Sequence, residues 1–159
     1  MLPILSGRPV RVEVRPDLGP YHAATSIPKR LMLLDAGLLC KRNEFDRILV
    51  HELFHFVWVR LSNAMRLEWE NQLAAEIRRK VRGELGWSAE WRKDELKRAD
   101  LARRTPRWRR YVCESFCDTA AWLYAELKRH PEFTLPADAR RSRRSWFEES
   151  FPQDLPIRF

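Results

Sequence analysis

The chain has 159 residues, of which 45% are hydrophobic, 11% are aromatic and 33% are charged. This composition is typical of one packed domain with a substantial core, and it excludes a collagen-like or intrinsically disordered chain. Lys and Arg total 30 against 22 Asp and Glu, so the formal net charge is +8. The positive excess indicates acidic partners or surfaces and carries no information on the fold.

The cysteine content and the apolar segments bear on cellular location. Cys40, Cys113 and Cys117 form an odd and sparse set, unlike the paired framework of a small secreted scaffold. Residues 1–7 lack the basic region and the apolar length of a signal peptide, and titratable residues interrupt the most apolar stretch, 48–61. We therefore expect a cytoplasmic protein with no membrane association, and the sequence leaves the oligomeric state open.

The predicted elements are strands first and helices afterwards. Alternation of apolar and charged residues predicts a strand at Val10–Val14, and a second apolar run predicts one at Arg30–Asp35, with a loop at 17–22 between them. Helical patterns then predict four helices, of which the first has an apolar stripe and Asn43 as its N-cap and the third is polar. These helices span about 44–61, 67–85, 89–103 and 107–129. The segment from Pro131 onward is rich in proline and is predicted to be irregular.

The informative segment of the first helix is His51-Glu52-Leu-Phe-His55. Residues four apart share one face of a helix, so both imidazoles can point at one metal ion while Glu52 reaches a water bound to it. A zinc ion lowers the pKa of its water to about 7 and polarises a scissile carbonyl, and a neighbouring carboxylate takes the proton of that water. Glu52 is therefore the candidate general base, with His51 and His55 as zinc ligands. The alternative is that both histidines are ordinary residues on the polar side of a core helix.

A catalytic zinc site needs a third protein ligand. A histidine six residues after His55 would complete a compact motif, but Trp58 and Leu61 stand where that motif has Gly and His. The best candidate is Glu114 on the last predicted helix, with Asp118 one turn further on the same face. At this spacing Glu114 can bind the metal while Asp118 accepts the spare N–H of a ligating histidine.

The segment His51-Glu-Leu-Phe-His55, followed after a spacer by Glu114-Ser-Phe-Cys-Asp118, resembles the signature of the gluzincins, the zincin metallopeptidases whose third zinc ligand is glutamate. In size the chain is similar to their small members, such as the ImmA/IrrE-type proteases and the minimal zincins. The resemblance implies a zinc-dependent peptidase that acts on a protein or peptide substrate, with His51, His55 and Glu114 as the Zn²⁺ ligands. Glu52 would be the base of this reaction.

The fold implied by this resemblance is α+β and mainly helical, a minimal zincin-like fold with a small mixed sheet whose edge strand would hold an extended peptide. The helix at about 44–61 would be the active-site helix, and the helix at about 107–129 would back it. Residues 1–159 would form a single zincin-like metallopeptidase domain with a basic helical insertion at about 78–110.

Other reactive side chains have simpler interpretations. Cys117 lies close to the proposed glutamate ligand on the same helix, but a small buried thiol is favoured over a metal ligand. Cys113 and Cys117 would need two more ligands to form a standard metal site. Tyr111, His130 or His22 could stabilise the oxyanion of a tetrahedral intermediate, and the sequence does not choose among them.

The positive excess lies entirely in the middle of the chain. Residues 1–77 hold 10 Lys and Arg against 9 Asp and Glu, residues 78–110 hold 13 against 5, and residues 111–159 hold 7 against 8. In the middle segment, Trp87, Trp91 and Trp108 are interleaved with basic residues, a mixture suited to phosphate contacts and base stacking. The simpler interpretation is a solvated helix whose arginines cover tryptophans anchored in the core, and the basic cluster at 140–144 is interpreted as a solvated tail. The alternative function is a basic binding module on a zincin-like scaffold, which engages nucleic acid or an acidic protein partner.

Overall fold

The computed structural model describes residues 3–152 and 155–159 of the chain. The predicted fold class is confirmed, because the described residues form an α+β, mainly helical protein with small sheets. The strands are β1 (Leu5–Ser6), β2 (Arg11–Arg15), β3 (Ala23–Ser26), β4 (Leu31–Asp35) and β5 (Ile157–Arg158). The α-helices are α1 (Arg42–Trp58), α2 (Asn63–Arg78), α3 (Trp87–Asp94), α4 (Arg98–Arg103), α5 (Pro106–Tyr124) and α6 (Ala137–Ser150). A short 3₁₀ helix at Ala36–Cys40 joins β4 to α1.

The larger sheet is mixed, with the strand order β2-β4-β3. β2 runs parallel to β4, with Val12 opposite Met32, whereas β3 runs antiparallel to β4, with Thr25 opposite Met32. β1 and β5 form a separate parallel pair. β2 and β4 lie within one residue of their predicted positions. β3 is absent from the prediction because its sequence, Ala-Ala-Thr-Ser, lacks the bulky β-branched and aromatic residues that favour strands.

Helix α5 is the centre of the helical part of the fold, because it contacts each of the other five helices. Its Phe116 lies in an aromatic cluster with Phe54 of α1 and Phe147 of α6, at ring-centroid distances of 5.9 and 5.1 Å. All three side chains are fully buried. Burial of a Phe side chain contributes about 1.5–3 kcal/mol to the free energy of unfolding. This cluster therefore holds both α1 and α6 against α5.

The ends of α1 and α5 differ from the predicted boundaries. The prediction of Asn43 as N-cap is wrong, because α1 begins at Arg42, two residues before the predicted start at 44, and Lys41 occupies the cap position. α1 ends at Trp58 rather than at 61, since the Ser62 side chain accepts a hydrogen bond from the Met65 N–H and begins α2 there. α5 ends at Tyr124 rather than at 129, and Glu126 then adopts the left-handed conformation with φ 59°.

The two predicted helices between α1 and α5 are also corrected. The helix predicted at 67–85 is α2, which starts four residues earlier and ends at Arg78, before the left-handed residue Lys80. The helix predicted at 89–103 is two helices, α3 and α4. The Asp100 carboxylate accepts a hydrogen bond from the Lys97 N–H at 2.9 Å and so starts the second one.

The prediction of an irregular carboxyl-terminal segment is wrong, because that segment contains α6. Its buried positions Ala139, Arg143 and Phe147 recur every four residues. The Arg143 guanidinium is fully buried and lies 2.7 Å from carboxylate oxygens of both Glu76 and Glu84. A stripe with an arginine at its centre does not register as hydrophobic periodicity, and for Arg143 the interpretation of a solvated tail is wrong.

The basic segment 78–110 folds onto the helical layer, since α3 and α4 both contact α5. The extent of the domain over residues 1–159, with this segment as an insertion, stays a prediction. Within the described part of the chain, no helix combines the length and apolarity that crossing a bilayer requires.

Candidate metal centre

The HExxH motif lies in the middle of α1, the helix that packs most extensively on α5. Because His51 and His55 are one turn apart, their rings meet edge to face, with centroids 5.0 Å apart and an interplanar angle of 77°. One ligand atom from each of His51, Glu52 and His55 lies within 4.8 Å of the others. These three residues therefore form a possible metal-binding group.

Helix α5 brings two carboxylates to His51. Glu114 Oε2 lies 3.3 Å from His51 Nε2, and Asp118 Oδ1 lies 2.7 Å from His51 Nδ1. The His51 ring is thus held between the two acids, one at each nitrogen. Asp118 is only 2% exposed, whereas Glu114 lies at the partly open edge of the site.

The separation between His51 and Glu114 fits two ligands of one metal ion. The group whose ligand atoms all lie within 4.8 Å of one another contains Glu52, and not Glu114, beside the two histidines. Two ligands bound at about 2.0–2.1 Å to one tetrahedral zinc lie about 3.3 Å apart, which is the separation between His51 Nε2 and Glu114 Oε2. With the ring hydrogen on Nδ1 and donated to Asp118, the lone pair of His51 Nε2 is directed toward Glu114. Two imidazole nitrogens and a carboxylate oxygen form a donor set that suits zinc.

The electrostatics of the site favour a cation. Burial lowers the pKa of His51, but the charge and the hydrogen bond of Asp118 outweigh it and raise the pKa well above its usual value. Burial raises the pKa of Glu114, but the hydrogen bond and charge of His51 lower it to about 2. Carboxylates that stabilise a proton on His51 would also stabilise a metal cation in the same place.

The second oxygen of Asp118 binds the N-terminus of α3. Asp118 Oδ2 accepts a hydrogen bond from the Ala89 N–H at 3.1 Å, and the Ser88 hydroxyl donates to Glu114 Oε2 at 2.7 Å. Gly86 precedes this turn, and a Cβ at that position would overlap the Asp118 carboxylate. α3 is therefore docked directly on the two acids that contact His51. This contact was not predicted, because it joins residues 29 positions apart in the sequence.

The exposed side of α3 forms the rim of the candidate centre. Arg92 lies one turn after Ser88, and its Nη2 is 3.4 Å from Glu114 Oε1. Trp87 and Trp91 are 64% and 45% exposed and stack at 5.7 Å with an interplanar angle of 11°. The interpretation of tryptophans anchored in the core is therefore wrong for this pair, and it holds for Trp108, which is 1% exposed.

The second histidine of the motif, His55, faces two cysteine thiols of α5. Its Nδ1 lies 3.5 Å from the Sγ atoms of both Cys113 and Cys117. A hydrogen bond from Cys117 lowers the pKa of the Cys113 thiol to about 6, with burial opposing it and His55 adding to it. Burial raises the pKa of Cys117 well above its usual value. All three cysteines of the chain are free thiols.

Of the three residues considered for oxyanion stabilisation, Tyr111 and His130 are paired with other carboxylates. The Tyr111 hydroxyl is fully buried and donates to Glu84 Oε1 at 2.6 Å. His130 pairs with Glu44 through its Nε2 at 2.5 Å, at the N-terminal end of α1. His22 is an exposed residue before β3. The charged side chain that adjoins Glu114 from α3 is Arg92, which was not predicted to lie near the site.

Comparison with known proteins adds no family assignment. No protein-family model matches the chain, and no curated protein or solved structure matches it either. The evidence for a functional site is therefore the possible metal-binding group of α1 together with the side chains that α5 and α3 place around it.

Proposed function

We propose that the protein is a zinc-dependent metallopeptidase of minimal gluzincin type. The observation that carries this proposal is the position of His51, held between Glu114 and Asp118 beside the carboxylate of Glu52. His51, His55 and Glu114 would hold the zinc ion. In Zn²⁺ sites of this composition the bound ion polarises a carbonyl and acidifies a water molecule.

Glu52 has the surroundings expected of a general base. It is 9% exposed and stands in the same ligand group as the two histidines. Across residues 3–152 and 155–159, no side chain hydrogen-bonds its carboxylate, so its oxygens remain available to take a proton. In the proposed reaction Glu52 removes a proton from the attacking water and delivers it to the leaving amine.

Asp118 is the positioning residue of this site. Its carboxylate accepts the Nδ1–H of His51, which keeps the ring hydrogen away from the nitrogen that faces Glu114. An acceptor of this kind fixes the tautomer and the orientation of a ligating imidazole.

The substrate would be a protein or peptide bound in extended form along β3. β3 is an outer strand of the mixed sheet, and its Thr25 hydroxyl lies 3.5 Å from the backbone oxygen of Glu52. An extended chain added to this edge would therefore pass beside the proposed base. A cytoplasmic location and a single domain over residues 1–159 belong to the same proposal.

The decisive experiment compares the parent with Glu52→Gln. We expect the variant to keep its zinc, measured by elemental mass spectrometry, and to lose about 10²- to 10⁴-fold in the hydrolysis of a peptide library, because it lacks the proton acceptor. Glu68→Gln on the exposed face of α2 is the matched control and should keep full activity. Full peptidase activity in Glu52→Gln would overturn the assignment.

The exposed tryptophan pair favours a second candidate function, a module that binds single-stranded nucleic acid. Trp87 and Trp91 present stacked rings to solvent, and the Arg92 guanidinium lies 4.8 Å from the Trp91 ring centroid. Exposed aromatic rings within a basic segment can stack on bases while the arginines contact phosphates. This candidate uses the +8 segment 78–110, whose positive excess has no role in the peptidase proposal.

Titration with a short oligothymidylate, followed by tryptophan fluorescence, tests the second candidate. Binding should weaken steeply between low and high salt, since phosphate contacts release counterions. It should also fall in Trp87→Ala and Trp91→Ala variants. Binding that is insensitive to salt, or capture of an acidic protein in place of the oligonucleotide, would contradict it.

A further inference from the structure

The two thiols of α5 meet one nitrogen of α1. Cys113 and Cys117 are one turn apart, and both Sγ atoms lie 3.5 Å from Nδ1 of His55. All three potential ligand atoms lie within 4.8 Å of one another. The fold thus supplies one of the two further ligands that the cysteine pair would need for a standard metal site.

The separation of these atoms fits a metal ion. A thiolate sulfur bound at about 2.3 Å and an imidazole nitrogen bound at about 2.0–2.1 Å to one tetrahedral ion lie about 3.5 Å apart. Both N–S separations have this value, so an ion could enter with little movement of the three side chains. Two sulfurs and one nitrogen form a soft donor set, and such sets select thiophilic cations.

This group differs from the carboxylate-lined group at His51 in both position and chemistry. His55 directs Nδ1 to the thiols, and the same residue belongs to the HExxH group. The thiols are also protected, because Cys117 is fully buried and Cys113 is half-buried. One imidazole ring therefore borders two ligand sets of different softness.

We propose that Cys113, Cys117 and Nδ1 of His55 form a second metal site, which binds a thiophilic cation with a filled d shell, such as Zn²⁺ or Cu⁺. Binding forms two metal–sulfur bonds and one metal–nitrogen bond, and two thiol protons leave to solvent while the ring hydrogen of His55 stays on Nε2. A second ion bound at Nε2 of the same ring would require that hydrogen to leave as well. The fourth position of a tetrahedral ion stays open. The site shares His55 with the proposed peptidase centre, but its ligand set needs neither Glu52 nor Glu114.

Cadmium titration of the full chain tests the site, because sulfur-to-cadmium charge transfer absorbs in the ultraviolet only when thiolates bind the metal. The parent should develop this band and saturate at about one thiolate-bound Cd²⁺ per chain. The His51→Ala, Glu114→Gln double variant should keep the band, since it disturbs the other ligand set. Cys40→Ser is the matched control, because Cys40 is the exposed thiol and lies outside the group.

The Cys113→Ser, Cys117→Ser variant should lose the band while keeping its circular dichroism spectrum. His55→Ala leaves both thiols in place and removes a direct ligand. Loss of even an outer partner weakens metal binding about 10- to 100-fold, so we expect cadmium affinity to fall by at least this factor. A parent without the band, or a band that survives serine at both positions, would overturn the proposal. Failure of peptide hydrolysis alone would leave these results unchanged, so the two proposals fail separately.

Discussion

Replacement of Asp118 by Asn tests how far the candidate centre depends on one carboxylate. Asp118 accepts the His51 Nδ1–H at 2.7 Å with one oxygen and the Ala89 N–H at 3.1 Å with the other. Asn offers a single acceptor oxygen in nearly the same volume, so one of these two donors must face an amide NH₂ group.

The size of the effect follows from which donor is lost. If the amide turns its NH₂ group toward His51, the ring hydrogen moves to Nε2 and that nitrogen can no longer bind a metal. Loss of such an outer partner weakens metal binding about 10- to 100-fold, or about 1.4–2.7 kcal/mol. If the NH₂ group turns toward Ala89, a buried N–H is left unpaired, and the free energy of unfolding of the metal-free protein falls by about 1–3 kcal/mol.

Two measurements on the same protein separate these outcomes. Zinc affinity is obtained by competition with a chromophoric chelator, and the free energy of unfolding by urea denaturation of the metal-free chain. Asp94→Asn is the matched control, because Asp94 is an exposed carboxylate on α3. An Asp118→Asn variant that equals this control in both measurements would refute the argument that Asp118 holds His51 and α3 together.

Three further predictions concern the packing around the site. Arg143→Met should lower the free energy of unfolding by about 3–5 kcal/mol, since it leaves buried carboxylates without their cation. Arg144 is half-exposed on the same helix, so the control Arg144→Met should change this free energy by less than about 0.5 kcal/mol. Equal urea midpoints for the two variants would contradict this prediction. Burial raises the pKa of Glu84, but the charge of Arg143 lowers it to about 2. The ionised group therefore stabilises the fold above its ordinary pKa of 4.5, and this stability is lost as the pH falls toward 2, so Glu84→Gln should flatten the acid limb of the pH–stability profile. Gly86→Ala places a methyl group against the Asp118 carboxylate and should displace the tryptophans of α3. An unchanged tryptophan fluorescence maximum together with an unchanged zinc affinity would contradict this prediction.

The parts of the site that could be predicted from the sequence are those with local spacing. His51 and His55 share a helical face, and so do Glu114 and Asp118, because in each pair the residues are four positions apart on an apolar helix. The packing of α1 against α5 could also be predicted, since these are the two longest helices in the described part of the chain and both have apolar faces.

The rest depends on contacts between distant residues. The docking of α3 uses the backbone N–H of Ala89, and the amino-acid type at a position does not indicate that its backbone N–H makes such a contact. The thiols reach His55 across 58 and 62 positions, and α6 is built around the buried charge of Arg143. In each case the determining interaction is polar and tertiary, whereas periodicity reports only apolar burial.

Because Asp118 contacts His51 with one oxygen and the Ala89 amide with the other, it couples the candidate metal centre to the helix that bears the exposed tryptophans. A metal ion that fixes the His51 ring would favour the state in which the same carboxylate holds the Ala89 amide, and by reciprocity a ligand that steadies α3 would tighten metal binding. The Ala89 amide would therefore exchange its hydrogen with solvent more slowly when the centre is loaded. Hydrogen exchange at this one backbone position would then report whether the centre at His51 holds a metal ion.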